Sequence, residues 1–432
     1  MSAVIPITIL LILFVIGTPV AFCIFISTLC YFLMSDLPMI MLIQRLAGGL
    51  ESVTLLAIPF FIMAGVFMNH TGISARLLKF CEVLTGHMNG GLAQVNVALS
   101  TLMGGLSGSN IADAAMNSKL LVPQMVARGY SASFSAAVTA AGSLITPIIP
   151  PGIAMIIYGY VNNVSIGRLF LAGIIPGTLL CIMMMILVSI ISKKRGYLPI
   201  REKRASCKEI ALSAKDAVLA LLLPIIIIGG IRMGVFTPTE AGAVAVAVIY
   251  AIILGTLIYR NMDIKQLWLA TRESALGAAN VLLIICMAVA FSKFLTWERV
   301  PQALAQWMTT VVDSPITFLM LVNISLLILG MFLEGNAIMI VLAPLLAPIA
   351  NSYGIDPIHF GIVFIFNGAI GTITPPLGTV MFTTCSITEV PIEKFIKDVI
   401  PFWGLLIFEL ILLTYIPSIS IWLPNLVYGI AN

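Results

Sequence analysis

Apolar runs recur along this chain, and several are interrupted by residues that break helices. Ile7–Ile16, Leu179–Ile191, Val244–Leu254 and Phe402–Ile416 are examples of the runs. Inside hydrocarbon every backbone N–H and C=O must be paired within the protein, so only helices and closed barrels span it. The short alternating strands of a transmembrane barrel are absent. Charged residues make up 9% of the chain, against about 25% in soluble domains. The expected fold is therefore an all-α polytopic membrane protein. Yet GAIGTITPPLG, Gly368–Gly378, places three glycines and a double proline in one of the most apolar regions. A breaker at that depth is tolerated where protein or a lined cavity receives the freed backbone groups.

The apolar pattern predicts one long first helix over about Val4–Met34, with Gly17 and Pro19 inside it. An interfacial segment, Leu37–Leu50, precedes a span at Thr54–Met68, and Thr71–Gly91 suits a helix lying in the interface. Gly91–Met125 is broken at MGGLSGSN (Met103–Asn110). Its halves, about 15 residues each, are too short for the roughly 30 Å core and read as a re-entrant hairpin. Spans follow at Ser131–Tyr158, Leu169–Ser192, Val218–Ile231, Ala241–Ile258 and Leu276–Phe294. A second interrupted pair, Ile316–Ala350, breaks at GMFLEGN (Gly330–Asn336), and Phe360–Cys385 and Pro401–Pro417 complete the set. The divisions expected are 1–90 (N-terminal helices and interfacial connector), 91–165 (first hairpin and broken helix), 166–312 (central helices with a basic loop), 313–390 (second hairpin and broken helix) and 391–432 (C-terminal helix).

An internal repeat organises these elements. Leu120, Leu121, Pro123 and Gly129 match Leu345, Leu346, Pro348 and Gly354 at an offset of about 225 positions. Gly104 and Asn110 match Gly330 and Asn336, and Pro150–Pro151 match Pro375–Pro376. The segment Lys193–Lys215 carries Lys193, Lys194, Arg195, Arg201, Lys203, Arg204, Lys208 and Lys215, which marks it as cytoplasmic. The net charge of +4 thus reports topology and not nucleic-acid binding. Counting spans from that segment places an odd number of crossings between the hairpins, so the copies are expected to be inverted. Inverted repeats with broken helices near the midplane are a common build of secondary transporters.

The breakers carry the chemistry. In each copy a hairpin tip and a later Thr/Pro-rich break, ITPIIPPG (Ile145–Gly152) or GTITPPLG (Gly371–Gly378), can supply carbonyls and hydroxyls, oxygen ligands suited to a hard cation. Asn110 is placed to cap the helix after the first tip, with Asp113 at its third position, and Asn336 is its mirror residue. Two helix N-termini aimed at one cavity would favour an anion such as a carboxylate. Lys119 fits a side chain snorkelling to the interface. Glu334 is a lone charge beside the second tip. Thr237 and Glu240, and Asp356 with Pro357, read as helix starts; His359 reads as a packing residue. Trp297, Trp307, Trp403 and Trp422 suit an interfacial belt.

GGLSGSNIADAA, PIIPPG, FTPTEAGAV, GIDPIHFG and GAIGTITPPLG together resemble the large membrane subunit of tripartite ATP-independent periplasmic (TRAP) transporters, over nearly the whole chain. The resemblance implies an inner-membrane elevator-type carrier of organic acids driven by Na+, about two ions per cycle. It implies two partners in addition to the lipid bilayer: a small four-helix membrane subunit and a periplasmic substrate-binding protein. By the same resemblance one sodium would lie among Gly104, Ser107, Thr146, Ile149 and Pro150. A second would lie among Gly330, Gly371, Thr374 and Leu377, with substrate near Ser109, Asn110 and Asn336. Asn110, Lys119 and the LEGNA tip depart from the usual pattern and bear on which acid is carried. A stand-alone symporter of the same superfamily is the first rival reading, and a channel is another, though paired opposed hairpins suit an occluding carrier better. An intramembrane enzyme lacks its motifs: there is no HExxH, and His70, His87 and His359 sit in different segments.

Overall fold

The computed structural model describes residues 4–35, 37–237, 240, 263–312 and 314–429. Among them the regular structure is helical, without strands. Among the described residues three helices are long and apolar enough to cross a membrane: Ile166–Arg195, Ile264–Trp297 and Gly335–Ser352. The pair Ile392–Tyr415 and Ser418–Tyr428, bent by 51°, is a fourth. Large apolar side chains such as Leu11, Ile16, Leu33, Ile43 and Ile316 are exposed. An apolar surface of that extent is suited to lipid. The expected span Ala241–Ile258, and most of FTPTEAGAV, lie outside the described residues.

The first helix is not continuous. It divides into Val4–Ile16 and Val20–Met34. Gly17 takes φ +82, a left-handed conformation that ends the first segment, and Pro19 precedes the second. The two pieces pack on each other, and Ser27 Oγ donates to Pro6 O at 2.7 Å. The basic segment is also shorter than its charge suggested. Ser206 and Glu209 form a capping box that starts helix Cys207–Arg232, so Lys208 and Lys215 are helical.

The innermost helices are those flanking the interruptions. Gly91–Ser107, Ala132–Ser143 and Pro357–Gly371 are buried almost throughout. Buried amide nitrogens tie them to their neighbours, while the Asn96 and Asn367 side-chain oxygens have no partner among the described residues. Asn96 Nδ2 donates to Thr139 Oγ1 at 2.7 Å, and Asn367 Nδ2 donates to the Asn323 side-chain oxygen at 2.9 Å. In each case an asparagine joins the helix entering a tip to the helix entering a break. The arms are Gly91–Ser107, Asn110–Leu120, Pro315–Gly330 and Gly335–Ser352. At 18 residues the last is longer than its sequence suggested, about 27 Å.

Packing then crosses between the halves. Helix Asn110–Leu120 lies against helix Thr379–Thr388, and helix Gly335–Ser352 against helix Ile153–Val161. The second arm of each tip rests on the helix that follows the other half's break. Tyr158 Oη donates to Pro357 O at 3.0 Å, and a methyl group at Gly361 would meet the Tyr158 ring at 2.5 Å. His359 is buried, hydrogen-bonded to Ser420 Oγ at 2.8 Å and to Thr414 O at 3.3 Å, as a packing residue would be.

Candidate functional site

The first tip is a helix end stopped by glycine. Gly108 sits at φ +60 after Ser107, and a Cβ there would lie 2.8 Å from Pro151 O. The next helix is capped by Ser109, whose hydroxyl accepts from Ala112 N–H at 3.4 Å. The cap expected of Asn110 therefore belongs to its neighbour. The extended conformation of Ser109 (φ −125) suits an N-cap, and Asn110 becomes the first helical residue. Freed from capping, Asn110 reaches across the molecule, and its Nδ2 donates to Thr372 Oγ1 at 3.1 Å.

That displacement also moves Asp113 out of the capping position. It is buried on the inner side of the arm. Asn117 Nδ2 donates to its Oδ1 at 3.2 Å, and the Ser100 and Thr146 hydroxyls lie close by. Its Oδ2 has no hydrogen-bond partner among the described residues. The sequence marked Asp113 only as a helix-start residue; the signal for its inward position was its spacing of four from Asn117, on the same helix face.

The first break meets the first tip closely. Residues 144–152 leave the helix as a series of turns, with a cis peptide bond at Pro150–Pro151. A Cβ at Gly104 would fall 2.9 Å from Ile149 Cβ and 3.1 Å from Thr146 Cα. Gly105 faces Pro150 O at 3.5 Å on the same measure. Gly104, Thr146, Ile149 and Pro150 are thus brought together. Ser107 is one turn further along, buried beneath Gly65, with its hydroxyl on Met103 O.

The second tip repeats the arrangement. Gly330 and Gly371 are in mutual contact, a Cβ on Gly371 falling 2.5 Å from Gly330 Cα. Leu377 N–H donates to Met331 O at 3.0 Å, and Thr374 Oγ1 bonds to Ile370 O in the same turn. Pro375–Pro376 is also cis. Glu334 starts helix Gly335–Ser352 without capping it through its side chain; Asn336 Nδ2 donates to Glu334 Oε1 at 2.9 Å.

Between the tips lies a cavity of about 30 Å³ lined by residues that include Asn110, Pro147, Glu334, Asn336 and Thr372. Ser109 is not in its wall, its hydroxyl being taken by the cap. The cavity has room for about one water molecule. Lys119 is exposed in the last turn of its helix, away from this wall.

Comparison with known proteins agrees with this architecture. The family model described as "Tripartite ATP-independent periplasmic transporter, DctM component" matches residues 7–419. The chain belongs to this family. It is 39% identical over 414 residues to the sialic acid TRAP transporter large permease protein SiaM of Vibrio cholerae, covering 96% of both chains. It is 41% identical over 377 residues to the C4-dicarboxylate TRAP transporter large permease protein DctM of Pseudomonas aeruginosa, covering 87% of each. These relatives are named as transporter permeases and not as enzymes. The fold is similar to that of the Alcanivorax borkumensis YdaH transporter, with a TM-score of 0.61 at 17% identity, over 89% of this chain and 88% of that one.

Proposed function

We propose that this TRAP large permease imports a small organic acid across the bacterial inner membrane by sodium symport. The acid is delivered by a periplasmic binding protein, and a small membrane subunit completes the transporter. The observation that carries this reading is the cavity between the tips, whose polar walls come from both halves of the chain. The carboxylates named for the P. aeruginosa and V. cholerae relatives support the substrate class.

The two halves, 91–165 and 313–390, act as inverted repeats that move together as an elevator. The remaining divisions, 1–90, 166–312 and 391–432, form the scaffold. The reciprocal packing of each second arm on the opposite half's post-break helix supports the symmetry. One sodium ion is held by Gly104, Ser107, Thr146, Ile149 and Pro150. The second is held by Gly330, Gly371, Thr374 and Leu377. The donors are carbonyl and hydroxyl oxygens, which suit a hard cation. Asp113 adds an unpartnered carboxyl oxygen near Thr146 in the first set. Asn110 and Asn336 face the acid, and Ser109 holds the helix end behind them.

With a tenfold gradient and about 100 mV, each ion supplies roughly 1.4 + 2.3 kcal/mol. Two ions give about 7 kcal/mol, enough for roughly 10⁵-fold accumulation of a neutral equivalent. The test is uptake into proteoliposomes with an imposed sodium gradient, with and without the small subunit, using binding proteins loaded with different acids. Sodium-dependent uptake that requires both partners is expected. Uptake indifferent to sodium would reject the coupling, and uptake by this chain alone would show a stand-alone symporter.

A further inference from the structure

A second cavity, of about 280 Å³, lies where helix Ile264–Trp297 meets the ends of two other elements. Its polar wall is Lys293, Ser292, Tyr160 and Asn163, and Ile340 and Pro344 of the second arm close one side. A neighbouring cavity of about 560 Å³ shares Tyr160 and Asn163 and extends past Gly167 and Ile231 to Tyr428. Asn163 sits at φ +54, a left-handed conformation asparagine tolerates better than most residues. There it lines both spaces.

Topology fixes which side this is. Helix Ile166–Arg195 runs about 45 Å from Arg168 to the basic segment at Lys193–Arg195. Arg168, Arg232 and Lys293 are therefore at the end opposite the basic segment, on the outer side. Arg168 Nη2 donates to Asn425 at 2.6 Å, and Arg168 and Arg232 both act on the Tyr428 hydroxyl. Lys293 has no ion-pair partner among the described residues. Outer segments of membrane proteins are depleted in Lys and Arg. Lys293 is exposed and lines a recess between three elements whose wall is part polar and part apolar.

We propose that the Lys293 cavity is an outward-facing capture site for the carboxylate of a small organic acid, occupied before the acid reaches the tips. This rests on the carrier reading above. The recess is near the size of small-ligand pockets, roughly nine times the volume of the cavity between the tips. An unpaired ammonium in a recess concentrates anions, and Arg168 and Arg232, adjacent in sequence to Gly167 and Ile231 of the neighbouring cavity, add positive charge on the same side. Ser292, Tyr160 and Asn163 supply neutral donors to orient a carboxylate.

Two measurements on the full transporter test it. In proteoliposomes with loaded binding protein at low salt, Lys293→Gln is expected to lower the maximal uptake rate about tenfold. Lys293→Arg should restore most of it, with the half-saturating binding-protein concentration unchanged. The second measurement does not need transport. With Trp297, one turn beyond Lys293, kept as the sole tryptophan, iodide quenching should fall about twofold or more in Lys293→Gln. Millimolar succinate should relieve that quenching only when Lys293 is present, and acrylamide quenching should not change. Wild-type uptake in Lys293→Gln, or succinate relief that survives the substitution, would overturn the capture site. A raised half-saturating binding-protein concentration at unchanged maximal rate would also overturn it, making Lys293 a docking contact. If no loaded binding protein drives uptake, the carrier reading fails while the quenching measurement still decides the site.

Discussion

Substituting Gly330 by alanine is the sharpest test of the tip-to-break contact. A Cβ at Gly330 would lie 2.8 Å from Gly371 Cα, and every atom it approaches is backbone. No side chain can rotate away, so the two segments must separate by about 0.6–1.2 Å to reach ordinary contact distances. The bond from Leu377 N–H to Met331 O, 3.0 Å long and one residue from the contact, would stretch past useful length. Overpacking costs about 1–3 kcal/mol and the lost bond about 1 kcal/mol, so destabilisation of about 2–4 kcal/mol is expected. Gly404→Ala is the control: Gly404 is inside helix Ile392–Tyr415 with nothing within 4 Å of its Cβ position. There alanine should stabilise by about 0.5–1 kcal/mol. The assay is denaturation of purified protein in one detergent for both variants, followed by sodium titration of uptake. Gly330→Ala should lose stability and require more sodium. If it denatures like the parent at the parent's sodium affinity, the second tip does not rest on its break and the proposed ion site loses its geometry.

Two further predictions use groups far from the tips. On the basic side, Asp398 receives both the Arg195 guanidinium and the Ser133 hydroxyl, and the same guanidinium lies over the Phe134 ring at 5.2 Å. Asp398→Asn should cost about 1 kcal/mol at low salt and less at high salt; a loss independent of salt would mean the ion pair is not its source. Glu409 is fully buried in helix Ile392–Tyr415, with no hydrogen-bond partner for either oxygen among the described residues. Glu409→Met should therefore raise stability by about 1–3 kcal/mol; a lower melting temperature would show that the carboxyl group has a partner or a structural role.

The interruptions and the family were legible in sequence because glycine, proline and asparagine carry positional meaning that apolar residues lack. The break at Gly17 was less legible. A glycine two residues before a proline inside an apolar run is compatible with a kink, and the packing of the two pieces, with Ser27 bonded to Pro6, separates a fold-back from a bent span. The cap at the first tip was misplaced by one residue, since Ser109 and Asn110 are both good caps and backbone conformation chooses between them. That one step changes the chemistry, turning Asn110 toward Thr372 and leaving Asp113 below the capping turn. Lys293 and Glu409 were missed altogether: a lone charge in an apolar helix reads the same whether it meets lipid, a cavity or a packed neighbour.

The cavity between the tips also limits how the transporter can work. At about 30 Å³ it excludes any organic acid, although its walls carry the residues expected to bind one. The halves must therefore separate at this seam before substrate enters. Among the described side chains, one hydrogen bond spans the seam directly from tip to opposite break, Asn110 to Thr372, and such a bond contributes about 1 kcal/mol. Each tip is also seated on its own break by close backbone approach, Gly108 on Pro151 and Gly330 on Gly371, contacts that cannot part without moving whole segments. Opening should thus begin by parting Asn110 from Thr372 while each tip stays seated on its own break. On the proposed reading, an acid entering there would take the place of the Thr372 hydroxyl as the partner of the Asn110 amide, and the bond that closes the empty site would become a bond to the cargo.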